Sequence, residues 1–252
     1  TKKYRNPEKA EKELNDLRMH FADMIAAEGG MYVIFNSTVY PSSYQEIPDV
    51  VRWGQANIEK VQGLVFITYR TASMDESVAT DINDRQIDLS KLSYTSESFH
   101  DHFVTGPEVY QIIKDNFPEY EPSGYLGGSI RHDSYKWFIG AMVGSKKKMY
   151  GSVGKKTMEL AQTWHHLTKG RYMAYMTSGK IGQKVFWLSP WDKILREARK
   201  NYRKDMLRHP GRLFDDIYIQ SIGIIQAPDI MPDGRADMCD SCPDITIYDG
   251  KF

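Results

Sequence analysis

The sequence predicts an α/β fold in which part of a parallel (β/α) barrel, similar to a TIM barrel, is followed by a mixed α+β C-terminal region. Three features predict it: two short continuous apolar runs, a helical pattern between them, and a looser succession of helices and strands afterwards. We expect residues 1–75 to supply later βα units of the barrel, residues 76–225 a mixed substrate-side region, and residues 226–252 a Cys-bearing terminal segment.

A helix and a strand open the first region. Apolar residues recur at helical spacing from Pro7 to Glu28, and the glycine pair that begins at Gly29 ends the pattern. The run Met31–Phe35 is then continuously apolar, which is typical of a strand that is covered on both faces.

A second helix and a second strand follow. Pro48 suits the first turn of a helix, and Gly63 ends the helical pattern. The run Leu64–Ile67 repeats the buried-strand pattern. A connection of this length that carries a helix indicates a right-handed crossover between parallel neighbours.

The remaining chain gives more separate signals. Its pattern predicts a helix at Glu108–Asn116, a helix at Lys155–Thr168, a short strand at Val185–Leu188, a helix at Trp191–Arg208 and a strand at Ile217–Ile225. On the helix Trp191–Arg208, Trp191 is predicted to face inward with the apolar residues, and the basic side is predicted to be solvated. Most aromatic residues are expected to line the core or a pocket.

Composition excludes several classes of protein. The 33 basic and 33 acidic residues cancel, so no overall field attracts nucleic acid or an anionic membrane. No apolar run is long enough to cross a bilayer, and no signal segment opens the chain. We therefore expect a cytoplasmic protein with no transmembrane segment and no nucleic-acid partner.

Both ends of the sequence suggest continuation. The chain begins within a helix without an initiating Met, and it ends just after a strand at Ile245–Tyr248. The dipeptide at Asp249 is a hairpin signal, yet only Lys251 and Phe252 remain for the returning strand. We expect the remainder of the same polypeptide to lie on both sides of this segment.

Polar residues follow both predicted strands of the first region. Asn36 and Thr38 follow the first strand, and Tyr69 and Arg70 follow the second. Ligands of parallel sheets bind at the carboxyl ends of strands. These four residues are therefore candidate cofactor-binding residues, with simple capping of the strand ends as the alternative.

Cys239 and Cys242, the two cysteines of the chain, form a Cys-x-x-Cys motif. A tight turn of this spacing presents two thiolates to one metal, although a zinc or iron–sulfur site takes about four ligands. A redox pair and ordinary free thiols remain alternatives.

The seven histidines suggest no metal site as clearly. The pairs His100/His102 and His165/His166 lack the i, i+4 spacing of a zinc-binding helix. His132 follows a glycine turn and is a candidate pocket residue.

The segment "MYVIFNSTVYPSSYQEIPDVVRWGQANIEKVQGLVFITYR" resembles the later barrel strands of radical S-adenosylmethionine enzymes, and "MCDSCPDITIYDGKF" resembles the Cys-bearing C-terminal region of some members. The likeness covers residues 5–70 and the tail. The Cys-x-x-x-Cys-x-x-Cys motif that holds the principal cluster of the family is absent.

The resemblance implies an iron–sulfur enzyme that abstracts a hydrogen atom from a substrate at the barrel mouth, using S-adenosylmethionine and a 4Fe–4S cluster whose ligands lie outside this chain. It implies that Cys239 and Cys242 bind an auxiliary iron–sulfur cluster or zinc. The substrate stays open among small molecules, lipids and peptides. Two rival hypotheses are a zinc-knuckle interaction module and an ordinary (β/α)-barrel enzyme that uses Arg70 and His132.

Overall fold

The computed structural model describes residues 11–69, 81–82, 85–86, 104–171, 179–231 and 235–240. Its centre is a seven-stranded sheet with the strand order β1-β2-β9-β6-β5, in which β7 also pairs with β6 and β8 with β9. The elements in chain order are α1 (Asn15–Glu28), β1 (Ile34–Val39), α2 (Ile47–Ala56), β2 (Gly63–Thr68), β3 (Asp81–Ile82), β4 (Arg85–Gln86), α3 (Gly106–Asn116), β5 (Pro122–Gly127), β6 (Tyr135–Ser145), β7 (Lys148–Ser152), α4 (Lys155–Lys169), β8 (Gly179–Lys180), α5 (Lys193–Arg208), β9 (Tyr218–Gln226), β10 (Asp229–Ile230) and β11 (Ala236–Asp237).

The predicted parallel βαβ unit is confirmed as β1, α2 and β2. Strand β1 runs parallel to β2, with Ile34 opposite Gly63 and Val39 opposite Thr68. The first strand begins at Ile34, three residues later than Met31, where the predicted strand starts, so Asn36 and Thr38 lie within it. Pro48 lies in the first turn of α2, as its missing N–H allows.

The predicted (β/α) barrel is wrong, because the sheet is open and mixed. Strands β1, β2 and β9 are parallel, but β6 is antiparallel to β9, and both β5 and β7 are antiparallel to β6. A barrel of this kind needs a helical crossover after each strand. Instead, a two-residue turn joins β6 to β7 and forces them antiparallel. Within the described residues β1 and β5 end the strand order and do not pair.

The two faces of the sheet carry separate cores. On one face α2 and α3 cover alternate residues of the central strands, including Leu64, Phe66, Ile222 and Ile224. On the other face α5 packs over β7 and the start of β9, around a core of Val143, Tyr150, Leu195, Ala198, Tyr202 and Ile219. Because successive strand residues point to opposite faces, one strand serves both cores.

The later helices are confirmed within one or two residues of the predicted ends. The predicted strand Val185–Leu188 is wrong, since Gln183–Leu188 is a 3-10 helix. Trp191 is also wrongly placed inward, because 66% of its surface is exposed. The predicted strand at Ile245–Tyr248 lies outside the described residues.

Within the described part of the chain, no helix combines the length and the apolar composition that a bilayer crossing requires.

Candidate functional site

The carboxyl ends of β1, β2, β9 and β5 and the beginning of β6 lie along one margin of the sheet, which we call the carboxyl edge. Val39, Thr68 and Gln226 stand in one register row across the three parallel strands. Strand β6 enters this edge from the opposite direction, with Trp137 beside Ile225. Polar residues from five strands can therefore meet along one edge, as ligand sites of parallel sheets require.

Two of the predicted ligand residues line a groove near this edge. Asn36 and Thr38 are exposed and, being two residues apart on β1, share one face of the strand. They line an open groove of about 410 Å³, within the range of ~300–1,000 Å³ that small-molecule sites occupy. The other residues around the groove come from α1, from β1 and from the residues next to them: Leu14, Leu17, Arg18, Phe21, Phe35 and Tyr40.

Tyr69 supports one wall of the groove. Its backbone N–H donates to the carbonyl of Val39 at 3.0 Å. Its ring lies 4.9 Å, between centroids, from the ring of Tyr40, which lines the groove. Arg70, the fourth predicted residue, lies outside the described residues.

Arg18 adds a cation to the groove that the sequence did not single out. Arg18 is buried, and its guanidinium donates from Nη2 to Ser37 Oγ at 2.9 Å and from Nη1 to Asn15 Oδ1 at 2.8 Å. Its position on the inner face of α1 gave the only signal, since a charged residue within an apolar stripe needs a partner when it is buried.

A second polar group, also missed by the sequence analysis, surrounds Lys136 at the start of β6. The Lys136 side chain is completely buried, and its Nζ lies 2.5 Å from Asp229 Oδ2 and 3.0 Å from Asp237 Oδ2. Gln226 joins the group by donating from Nε2 to Asp229 Oδ2 at 2.8 Å. The one sequence signal was a lysine at an inward position of an apolar strand. We call Lys136, Asp229 and Asp237 the lysine clamp.

Asp237 is the buried end of the lysine clamp. Its Oδ1 accepts the backbone N–H groups of Ile130 and Arg131, at 2.8 and 3.2 Å. Burial acts to raise the pKa of this carboxyl, but the N–H groups of Ile130 and Arg131 and the ion pair with Lys136 outweigh it and hold the pKa below its ordinary value. Asp237 is therefore an anion that fixes the loop after β5 to the segment that carries Cys239.

Cys239 lies two residues beyond Asp237, beside the end of β5. It forms a bridge of antiparallel type with Gly128, and the N–H of Asp240 donates to the carbonyl of Gly127 at 2.8 Å. A side chain at position 128 would meet the Asp237 carboxylate at 2.6 Å, so glycine permits this close approach. The half-buried Cys239 thus has a well-supported backbone.

Only Cys239 of the predicted metal-binding pair lies within the described residues. Cys242 lies outside the described residues, and within those residues no three His, Cys, Asp or Glu side chains converge as a metal site would need. His132 is exposed, with its Nδ1 2.9 Å from the carbonyl of Gly128, so it lies in the same loop as the bridge to Cys239. His165 instead contacts the carbonyl of Arg171 through Nδ1. The pair His100/His102 lies outside the described residues.

The predicted residues form two groups rather than one site. Asn36, Thr38 and Tyr69 lie on β1 and after β2, whereas Cys239 lies beside β5 at the other end of the strand order. Four interstrand spacings of ~4.8 Å separate these strands, or roughly 19 Å along the sheet. Both groups lie at the carboxyl edge, but a small ligand in the groove does not reach Cys239.

The chain was compared with protein-family models, with curated proteins and with solved structures, and none of the three comparisons gave a match.

Proposed function

We propose that this chain is the ligand-side part of a radical S-adenosylmethionine enzyme, with a small-molecule substrate bound at the carboxyl edge and with Cys239 and Cys242 as two ligands of an auxiliary iron–sulfur cluster. One observation carries the proposal: the lysine clamp anchors the cysteine segment at the same sheet edge as the polar strand ends. The resemblance of "MCDSCPDITIYDGKF" and of the βαβ unit to that family supports it.

The number of cysteines in the chain limits the role that we assign to the cluster. Cys239 is the one cysteine among the described residues, and the whole chain holds two cysteines. Because a cluster takes about four protein ligands, the described residues alone do not form a complete site. We therefore assign no reaction step to it. When bound, an auxiliary cluster supplies electron transfer.

The chain's own residues have two roles under this proposal. The anion at Asp237 and its two backbone donors hold the Cys239 segment in place before any metal binds, which lowers the cost of ordering a ligand. The groove beside β1 supplies hydrogen-bonding groups from Asn36 and Thr38 and the nearby charge of Arg18. This combination favours a small polar or anionic molecule.

The test is anaerobic reconstitution of the natural gene product that carries this sequence, followed by assays of iron, of sulfide and of visible absorption. We expect iron and sulfide in the wild type and a lower content of both in Cys239→Ser. Met238→Ser is the matched control, because Met238 is exposed and adjacent and is not a thiol ligand. The control should keep the wild-type metal content.

A second assay distinguishes catalytic activity from metal binding. After reduction, the wild type should convert S-adenosylmethionine to 5′-deoxyadenosine, and Asn36→Ala with Thr38→Ala should lower that yield without lowering the iron content. Zinc in place of iron, bound through Cys239, would support the zinc-knuckle hypothesis and overturn the proposal. Full activity of a variant in which both Cys239 and Cys242 are replaced by serine would favour an ordinary enzyme and would also overturn the proposal.

A further inference from the structure

Helix α4 exposes the side that a globular helix normally buries. Leu160, Trp164 and Leu167 follow each other at i, i+4 and i+7, so they share one face of the helix. Their side chains are 49%, 68% and 74% exposed. Another side of the helix, with Met158, Ala161 and His165, is partly buried against the protein.

Trp191, which comes just before α5, lies near the beginning of α4. The buried carboxylate of Asp192 accepts from the N–H of Thr157 at 3.0 Å and from its hydroxyl at 2.7 Å. Trp191 directly precedes Asp192, so the bonds to Thr157 hold the backbone of Trp191 near the first turn of α4. The side chain of Trp191 is largely exposed. We call Leu160, Trp164, Leu167 and Trp191 the tryptophan face.

The region around the tryptophan face is basic although the chain as a whole is neutral. Residues 155–214 hold fourteen Lys and Arg but four Asp and Glu, whereas the other residues hold nineteen and twenty-nine. Two of those four acids, Asp192 and Asp205, are buried. The other two, Glu159 and Glu197, lie in ion pairs with lysines on their own helices. Asp215 and Asp216, which follow directly, pair with Arg212 and Lys180, but the region as a whole keeps a clear excess of basic side chains.

We propose that the tryptophan face docks on the surface of an anionic lipid bilayer. Trp combines a large apolar ring with an N–H donor and favours the headgroup region, and Leu beside it can enter the acyl boundary. Lys156 lies on the same helix face, one turn before Leu160, and Lys169 follows Leu167 by two residues. Both can reach lipid phosphates while the apolar residues insert. The docking is peripheral and independent of the function proposed for the carboxyl edge.

Two features favour lipid over nucleic acid. Two of the four residues are leucines, which neither stack on bases nor hydrogen-bond to them, whereas nucleic-acid platforms use aromatic rings. The stripe is also a straight helical row that does not line the groove beside β1, and such a row suits a flat, fluid surface.

The experiment is co-sedimentation of the chain with vesicles of phosphatidylcholine alone and with vesicles that also contain phosphatidylserine. We expect stronger binding to the second kind and a loss of binding as salt is raised. The double variant Trp164→Ala with Leu167→Ala should weaken that binding roughly tenfold or more, because it removes two inserted side chains. Circular dichroism checks that the variant keeps its fold, which the exposure of both residues favours.

The matched control is Leu207→Ala with Phe214→Ala, which removes two other exposed apolar side chains, 79% and 86% exposed, from the end of α5 and the turn after it. It should leave vesicle binding within about twofold of the wild type. Equal loss in both double variants overturns the assignment to α4. So does equal binding to both kinds of vesicle, binding of a single-stranded RNA without binding of vesicles, or dimerisation that the α4 variant abolishes.

Discussion

Replacing Lys136 by methionine tests whether the lysine clamp holds the carboxyl edge together. Methionine keeps most of the volume of the lysine stem but removes the ammonium, which lies 2.5 Å from Asp229 and 3.0 Å from Asp237. Asp237 is buried and keeps its two backbone donors, so the variant leaves a buried anion without its cation. Asp229, which is one-third exposed, can be solvated instead.

The expected cost follows from that difference between the two carboxylates. Removing one partner of a buried ion pair typically lowers the free energy of unfolding by about 3–5 kcal/mol. Water access to Asp229 and the N–H donors to Asp237 favour the lower end, so we expect about 3 kcal/mol at neutral pH. Lys147→Met is the matched control, because its pair with Asp215 is exposed on the lysine side and should cost less than about 1 kcal/mol.

Urea unfolding, followed by tryptophan fluorescence and circular dichroism at several pH values, measures the effect. In the wild type the lowered pKa of Asp237 gives stability that is present above the ordinary carboxyl pKa of 3.8 and is lost as the pH falls through the folded-state pKa. Loss of Lys136 raises the pKa of Asp237 relative to the wild type. The cost of Lys136→Met should therefore shrink between about pH 7 and about pH 4, because a protonated Asp237 needs no cation.

Two results would refute this reasoning. A cost below about 1 kcal/mol at neutral pH would mean that Asp237 is solvated without Lys136. A cost that stays the same down to about pH 4 would mean that lost packing, rather than an unpaired anion, explains the destabilisation.

Two further predictions concern the packing of α5. Asp192→Ala should lower the free energy of unfolding by about 2–3 kcal/mol, measured by urea titration, because it removes the cap of α5 and both bonds to Thr157; a cost under about 0.5 kcal/mol contradicts the cap assignment. Gly151→Ala should cost about 1–3 kcal/mol in a thermal unfolding series, because its new methyl group would meet Ala198 Cβ at 2.6 Å; an unchanged midpoint would show that α5 can shift away from β7.

Local patterns gave most of the secondary structure, while the assembly of the sheet depended on distant residues. The βαβ unit could be predicted because a continuous apolar run marks each strand and a helix of suitable length joins them, although one face of β1, with Asn36 and Thr38, is exposed. The partners of β2 could not, because β9 lies about 150 residues further along and its alternating pattern fits a parallel or an antiparallel neighbour equally. The barrel was inferred from the βαβ unit alone, and the hairpin of β6 and β7 broke that extrapolation.

The site residues divide in the same way. Asn36 and Thr38 could be singled out as candidates because polar residues at strand ends often bind ligands, and in the structure both line a groove although the strand extends over them. The lysine clamp could not, because its members lie near 136, 229 and 237, and nothing local distinguishes a buried ion pair from three surface charges. Such clusters become visible only when the topology brings the end of β9 beside the beginning of β6.

Helix α4 shows a further limit, since periodicity predicts that a helix has an apolar face but not which face the protein covers. Leu160, Trp164 and Leu167 repeat as core residues do, and the sequence analysis expected most aromatic residues to be inside. In the structure another side of α4, with Met158, Ala161 and His165, is partly buried, so the apolar face is left outward in a region rich in basic side chains. A row of exposed apolar side chains such as Trp164 is stabilised when a second surface covers it, and the basic residues beside it are the reason that we propose an anionic one.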